Sequence, residues 1–448
     1  MENNQSVTVP RRILSSLLSS LAAGVVPRAG APYIAIGRKD EIGAFLTDLE
    51  NIGEGGSSMR FLIGRYGSGK SFLMQLVRGY ALERDFLTAD ADLTPERRLY
   101  GTGGSGVATY RELMKNLASK ASPDGGALPK IIARWIGNLQ AEIGENDETG
   151  VRLRDAVMRD LRDVEFLVGG FDFARVISAY YRAYLEGNDE QMSACLCWLR
   201  GEFASKTEAR RALGFPVSLI IDDDNWYDFI KLFAVLARRI GYRGLVVFID
   251  ECVNLYKIVH RVSRENNYEK ILSMFNDALQ GKAEGLLMVL GGTPQFLEDP
   301  RRGLFGYEAL RSRLCDSRFN DAEFRNLIGP VIRLRRLSDD ELFALIVRAT
   351  ALYAQYYHWE PRITSEQQMR FLELSLARAG GDSMMTPREI LRDYLTVLNI
   401  LMQNENTDFE GLISRVTAQS RPMIGGEESE SPETGAKKTD FSPEDIIL

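Results

Sequence analysis

Residues 64–71 read GRYGSGKS and match the spacing G-x-x-x-x-G-K-[ST] through Gly64, Gly69, Lys70 and Ser71. That spacing describes a loop that wraps phosphate. Glycines let backbone N–H groups turn inward on phosphate oxygens with no Cβ in the way. The start of the following helix adds partial positive charge. The Lys70 ammonium would reach the β- and γ-phosphates and the Ser71 hydroxyl would hold Mg2+, with Tyr66, Gly67, Ser68 and Phe72 completing the loop. Further along, FIDE supplies Asp250 and Glu251. Asp250 would hold the magnesium ion through water, and Glu251 would orient or activate a water against the γ-phosphate. Each strand-end acid alone is ordinary; together with the upstream loop they favour hydrolysis over passive binding.

Four further stretches have weaker chemistry. Thr293 follows the apolar run LMVLGG, where a hydroxyl senses a γ-phosphate or merely sits in a Gly-Gly-Thr-Pro turn. ALRSRLCDSRF offers Arg311, Arg313 and Arg318. Of these Arg313 is the preferred candidate to reach a neighbouring subunit's nucleotide, against the plain reading of surface arginines. MTPREIL reads as a helix start, with Thr386 as N-cap, Pro387 first and Glu389 closing a capping box. Arg388 then stands in a first turn, where helix electrostatics ask for no cation, so it is expected to face an anion. Asp222–Asp224 are expected to cap the helix beginning near Trp226, with metal binding as the lesser reading. No N-K-x-D segment is present, so adenine is the expected base, with Gly37 and Arg38 near it.

These groups need strands to aim them. MRFLIG, FLTADADL, GLVVFIDE, GLLMVLGGTP and VIRLRRL read as strands, and SFLMQLVRGYALERD as the helix after the loop. Helices are predicted over 10–24, from Asp40, over DDDNWYDFIKLFAVLARRIGY, over YEKILSMFNDALQG, and from Ser338, where SDDEL forms another capping box, to about 403. The expected fold is α/β: a parallel sheet flanked by helices, with a large helical insertion and a helical C-terminal lid. The expected parts are residues 1–108 and 216–337 for the core, 109–215 for the insertion, 338–420 for the lid and 421–448 for a disordered acidic tail. Some 178 residues separate Ser71 from Asp250, far more than a compact core needs.

The formal net charge is −7, and residues 421–448 carry seven acids against three bases, so the body is near neutral. Overall charge therefore decides nothing about nucleic acid. Four cysteines, none in a C-x-x-C pair, and two histidines make a zinc site unexpected and fit buried free thiols in a cytoplasmic setting. No apolar run is long enough for a membrane span.

In their order, these features resemble an AAA+ ATPase of the origin-recognition-like branch or the related STAND group. GVVP, IGRKDEI, RFLIGRYGSGKSFLM, DADLTPERRLYG, WYDFIKLFAVLAR and GLVVFIDECVNLYK together resemble the BREX-type phage-defence ATP-binding proteins. The resemblance implies a P-loop ATPase with ATP and Mg2+, acting in a defence complex on DNA beside a helicase or methylase, as a homo-oligomer. By it Gly64, Gly67, Gly69, Lys70 and Ser71 bind ATP, Asp250 the magnesium and Glu251 the water, with Arg313 and Arg388 as finger and sensor. A STAND-like signalling switch with slow turnover is the alternative.

Overall fold

The computed structural model describes residues 9–143, 151–165, 167–315, 325–378 and 385–413. Arg318, the stretch GENDETG and the tail after residue 420 lie outside the described residues. Five parallel strands form one sheet in the order β2-β3-β4-β1-β5. They are β1 Ser58–Ile63, β2 Leu87–Asp92, β3 Leu245–Asp250, β4 Leu286–Gly292 and β5 Val331–Arg333, each within a stretch read as a strand from sequence except that β1 starts one residue earlier, at Ser58. β3 and β4 are buried at every position, which is why they are written as unbroken apolar runs.

Alternate residues of the strands enter two different cores. Phe61, Val247, Ile249 and Met288 face one side, where they meet the helices between residues 105 and 279. Leu62, Val246, Phe248 and Val289 face the other, against the helices Lys39–Gly53 and Lys70–Glu83. The six helices described between Ser105 and Leu213 share the first core rather than forming one of their own. Trp198 packs edge-on against Phe229, and Phe173 edge-on against Phe233, which ties them to the helix Trp226–Arg239.

A third core joins the two ends of the described chain. The helix Arg11–Ala22 buries Leu14, Leu17, Leu18 and Leu21 against the helices Asp339–Tyr357 and Pro387–Gln403. Both later helices open with a complete capping box, Ser338 with Glu341 and Thr386 with Glu389, as the sequence predicts. Arg348 Nε reaches the Tyr33 carbonyl at 2.9 Å, fastening this bundle to the segment before Arg38. Among the described residues no helix is long and apolar enough to cross a membrane.

Three expectations need correction. Asp222–Asp224 do not all cap the helix at Trp226. Asp222 Oδ1 accepts from the amides of Asp224 and Asn225 and closes the preceding turn. Asp223 instead accepts from the amides of Gly104, Gly106 and Val107 at 2.7–2.8 Å, capping the helix Ser105–Lys115. Any helix start attracts a carboxylate, and this one lies over a hundred residues away in sequence. Asp223→Ala is expected to cost about 1–3 kcal/mol, by loss of the cap and of partners for those amides. Urea denaturation, with faster hydrogen exchange at residues 104–107, checks it.

Second, the helix read from Tyr268 begins at Arg261. Its first turns bury polar groups, which hid the periodicity: Asn267 is fully buried and bonds both amides and the carbonyl of the Leu99–Tyr100 segment. Third, the free thiols are not all buried. Cys195 and Cys252 are, whereas Cys315, just past the short helix Glu308–Leu314, is exposed.

Candidate functional site

The sheet order decides what meets what. In register, Ile63 of β1 lies opposite Gly292 of β4, and Asp250 of β3 lies opposite Asp92 of β2. The loop after β1, the acids at the end of β3 and the turn after β4 therefore emerge together at the carboxyl edge, where open parallel sheets present ligand sites. Gly291 lets β4 pass beside Asp250, since a Cβ there would run into Asp250 Oδ1 and Met74.

The glycine-rich loop follows β1 directly and runs into the helix Lys70–Glu83. Gly67 and Gly69 hold positive φ of 74° and 90°, a conformation that favours glycine. Lys70 Nζ donates to the carbonyls of Gly64 at 3.0 Å and Arg65 at 3.3 Å. Burial lowers its pKa from the usual lysine value, opposed by the charges of Asp250 and Glu251. Ser71 Oγ donates to Asp250 Oδ2 at 2.7 Å. The predicted metal pair is thus in contact, and a hydroxyl with a carboxylate is the hard oxygen set that Mg2+ takes.

Glu251 has φ +57°, rare for a residue with a side chain and strained by about 1–3 kcal/mol. Two bonds hold it there. Its own amide donates to Asp250 Oδ1 at 2.8 Å, and the Cys252 amide donates to the Gly291 carbonyl at 2.9 Å. The turn carries Glu251 off the strand and onto the wall of a cavity of about 430 Å³.

That cavity is lined by the loop Tyr66–Phe72, by Glu251, and by Thr386, Arg388 and Arg392 of the last described long helix. Apolar walls come from Val25, Val26, Pro27, Ile36 and Leu337. The stretches GVVPRAG and IAIGRKDE both reach it. Gly67 presses on Thr386 so closely that a Cβ would overlap its side chain. Arg388 stands at this junction, in the helix start where a cation had no electrostatic reason to be.

Arg38 is only 3% exposed. Its NH2 group donates to the Ser68 carbonyl at 2.8 Å and the Arg335 carbonyl at 3.0 Å. It therefore clasps the loop to the segment after β5. Burial lowers its pKa from the usual arginine value, with Glu41 opposing. Ser68 Oγ is buried without a hydrogen-bond partner among the described residues, and Arg38 NH1, which makes no hydrogen bond there either, has the Glu41 carboxylate 3.8 Å away. A buried hydroxyl without a hydrogen bond, the Arg38 guanidinium, the lysine, and glycines lining the cavity suit a polyphosphate.

Thr293 lies one residue past β4 and caps the helix Pro294–Glu298, its Oγ1 accepting from the Phe296 amide at 3.4 Å. Its hydroxyl proton is left for another acceptor. Arg311 and Arg313 sit on the helix Glu308–Leu314 and do not line the cavity; Arg313 NH1 bonds the Ala309 carbonyl at 2.6 Å.

Sequence reading missed Asp92. It ends β2 beside Asp250, and partial desolvation raises its pKa, helped by the charges of Asp250 and Glu251. Its signal was the one used for Asp250: a strand, FLTADAD, that stops on an acid. Among the described residues, no group of three or more such side chains is placed to hold a metal ion.

The family model for the BREX system ATP-binding protein BrxC/D matches residues 9–417 of the chain. No curated protein matches it in sequence.

Proposed function

The chain belongs to the BREX system ATP-binding protein family, and from that premise we propose that it hydrolyses the ATP it binds and uses the cycle to drive phage defence. One observation carries this reading: the glycine-rich loop, the strained Glu251 and the helix start at Arg388 converge on one cavity. Lys70 and the loop amides would hold the β- and γ-phosphates, and the apolar wall near Val26 and Ile36 would take an adenine. Ser71 and Asp250 would hold Mg2+, which supplies charge neutralisation for the phosphate oxygens. Glu251 would accept the proton of the attacking water. Arg388 would read the γ-phosphate from the lid.

Because Gly67 abuts Thr386, a change in the loop on hydrolysis would be felt by the helical bundle. In this reading that movement couples nucleotide state to assembly, or to action on DNA with partners such as a helicase or methylase. Arg313, exposed and turned from its own cavity, would serve a neighbouring copy in a homo-oligomer, with Thr293 helping to place water.

Calorimetric titration of Mg-ATP into wild type and Lys70→Ala tests the core of it. Removing one charged hydrogen-bond donor is expected to weaken affinity roughly 10- to 100-fold. Equal heats from both proteins would overturn the assignment of the loop.

A further inference from the structure

A second concave surface lies on the other side of the glycine-rich loop. Two adjoining cavities, of about 530 and 480 Å³, share Arg65 and Pro294. Together they form a groove across the ends of β4, β1 and β5. The first is rimmed by Arg301, the second by Arg333 and Arg336.

The charge balance of this groove is positive. Arg65 and Arg301 are exposed, and their guanidinium groups make no ion pair among the described residues. Glu298 is already paired with Arg333. Asp299 is spent on the amides of Arg301 and Arg302 and on the Tyr256 hydroxyl, at 2.8–3.0 Å. Those bonds lower its pKa and fix the turn that presents Arg301. The sequence repeats the bias: residues 301–336 hold nine arginines, no lysine and four acids, in a chain of net charge −7.

We propose that this groove holds the phosphate backbone of a nucleic acid. Guanidinium groups bind phosphate through several N–H donors at once. Among the described residues, no aromatic side chain on which a base would stack lines either cavity. Contact is therefore to the backbone, independent of sequence, and to duplex rather than unstacked strands. Arg65 belongs to the same loop as Lys70, so backbone and nucleotide are held by opposite sides of one turn. The proposal rests on the reading of the neighbouring cavity only for this coupling.

The test is binding of a fluorescent 30-base-pair duplex by the full chain, between 50 and 200 mM salt. Three arginine–phosphate contacts contribute about −2.7 to the log–log salt slope, about a 40-fold loss over that range. The double variant Arg301→Ser/Arg336→Ser is expected to lose about 1.8 of that slope. The same variant titrated with Mg-ATP is expected to bind like wild type, which separates this site from the nucleotide cavity. Arg301→Lys/Arg336→Lys keeps the charge and should restore the slope. No duplex binding by wild type, an unchanged slope in the serine variant, or loss of its ATP binding would each overturn the proposal. Displacement of the duplex by an equal phosphate concentration of inorganic tripolyphosphate would make the groove a small-anion site and overturn it too.

Discussion

Glu251→Gln is expected to lower ATP turnover by about 10²- to 10⁴-fold, the usual worth of a positioned general base, while Mg-ATP still binds. The backbone explains why this substitution is the informative one. Glu251 occupies a left-handed turn held by the Asp250 carboxylate and the Gly291 carbonyl. Gln keeps the length and the turn and loses only the ability to take a proton. Phosphate release at saturating ATP, with binding followed by calorimetry, checks it. Turnover within threefold of wild type would remove Glu251 from the chemistry and leave Asp92 as the next acid to test.

The largest expected loss of stability comes from Asp48→Ala, about 3–5 kcal/mol. Asp48 and Arg60 are both buried, with Arg60 Nε and NH2 each 2.7 Å from a different Asp48 oxygen. Arg60 also donates to the carbonyls of Leu327, Ile328 and Gly329, just before β5. It thus joins β1, the helix Lys39–Gly53 and the approach to the edge strand. Removing Asp48 leaves a guanidinium in the interior without its counter-charge. Asp48→Leu/Arg60→Met should recover much of the loss, because two apolar groups need no pairing. Equilibrium unfolding in urea measures both. A loss below 1 kcal/mol for Asp48→Ala would show that water reaches the site.

What was legible in the sequence follows from physics. β3 and β4 are buried on both faces, so each is an apolar run ending where the chain meets solvent. The glycine-rich turn between β1 and the helix Lys70–Glu83 was legible because its residue spacing is fixed, and the capping boxes because their bonds span three residues. The rest depends on partners far away in the chain. Arg38 was expected beside the base, and nothing in its sequence setting says that its guanidinium holds the carbonyls of Ser68 and Arg335. Asp223 sits beside one helix and caps another. Amphipathicity marked a buried face on the helix Arg11–Ala22 but could not say that it would meet helices beyond residue 338. Nor could it say that the helices between residues 105 and 213 would share the core of the sheet.

The core that joins the helix Arg11–Ala22 to the helices Asp339–Tyr357 and Pro387–Gln403 has a consequence for how the molecule is made. The wall of the cavity joins Val25 and Val26, translated early, to Arg388 and Leu391, translated late. While the ribosome still holds the helix Pro387–Gln403, the loop at Gly67 has no Thr386 to lean on, and the leucines of the helix Arg11–Ala22 wait uncovered for partners more than three hundred residues away. A nascent or prematurely stopped chain would carry an intact glycine loop and still lack one wall of its binding chamber. Nucleotide affinity would thus report that synthesis had passed the helix Pro387–Gln403.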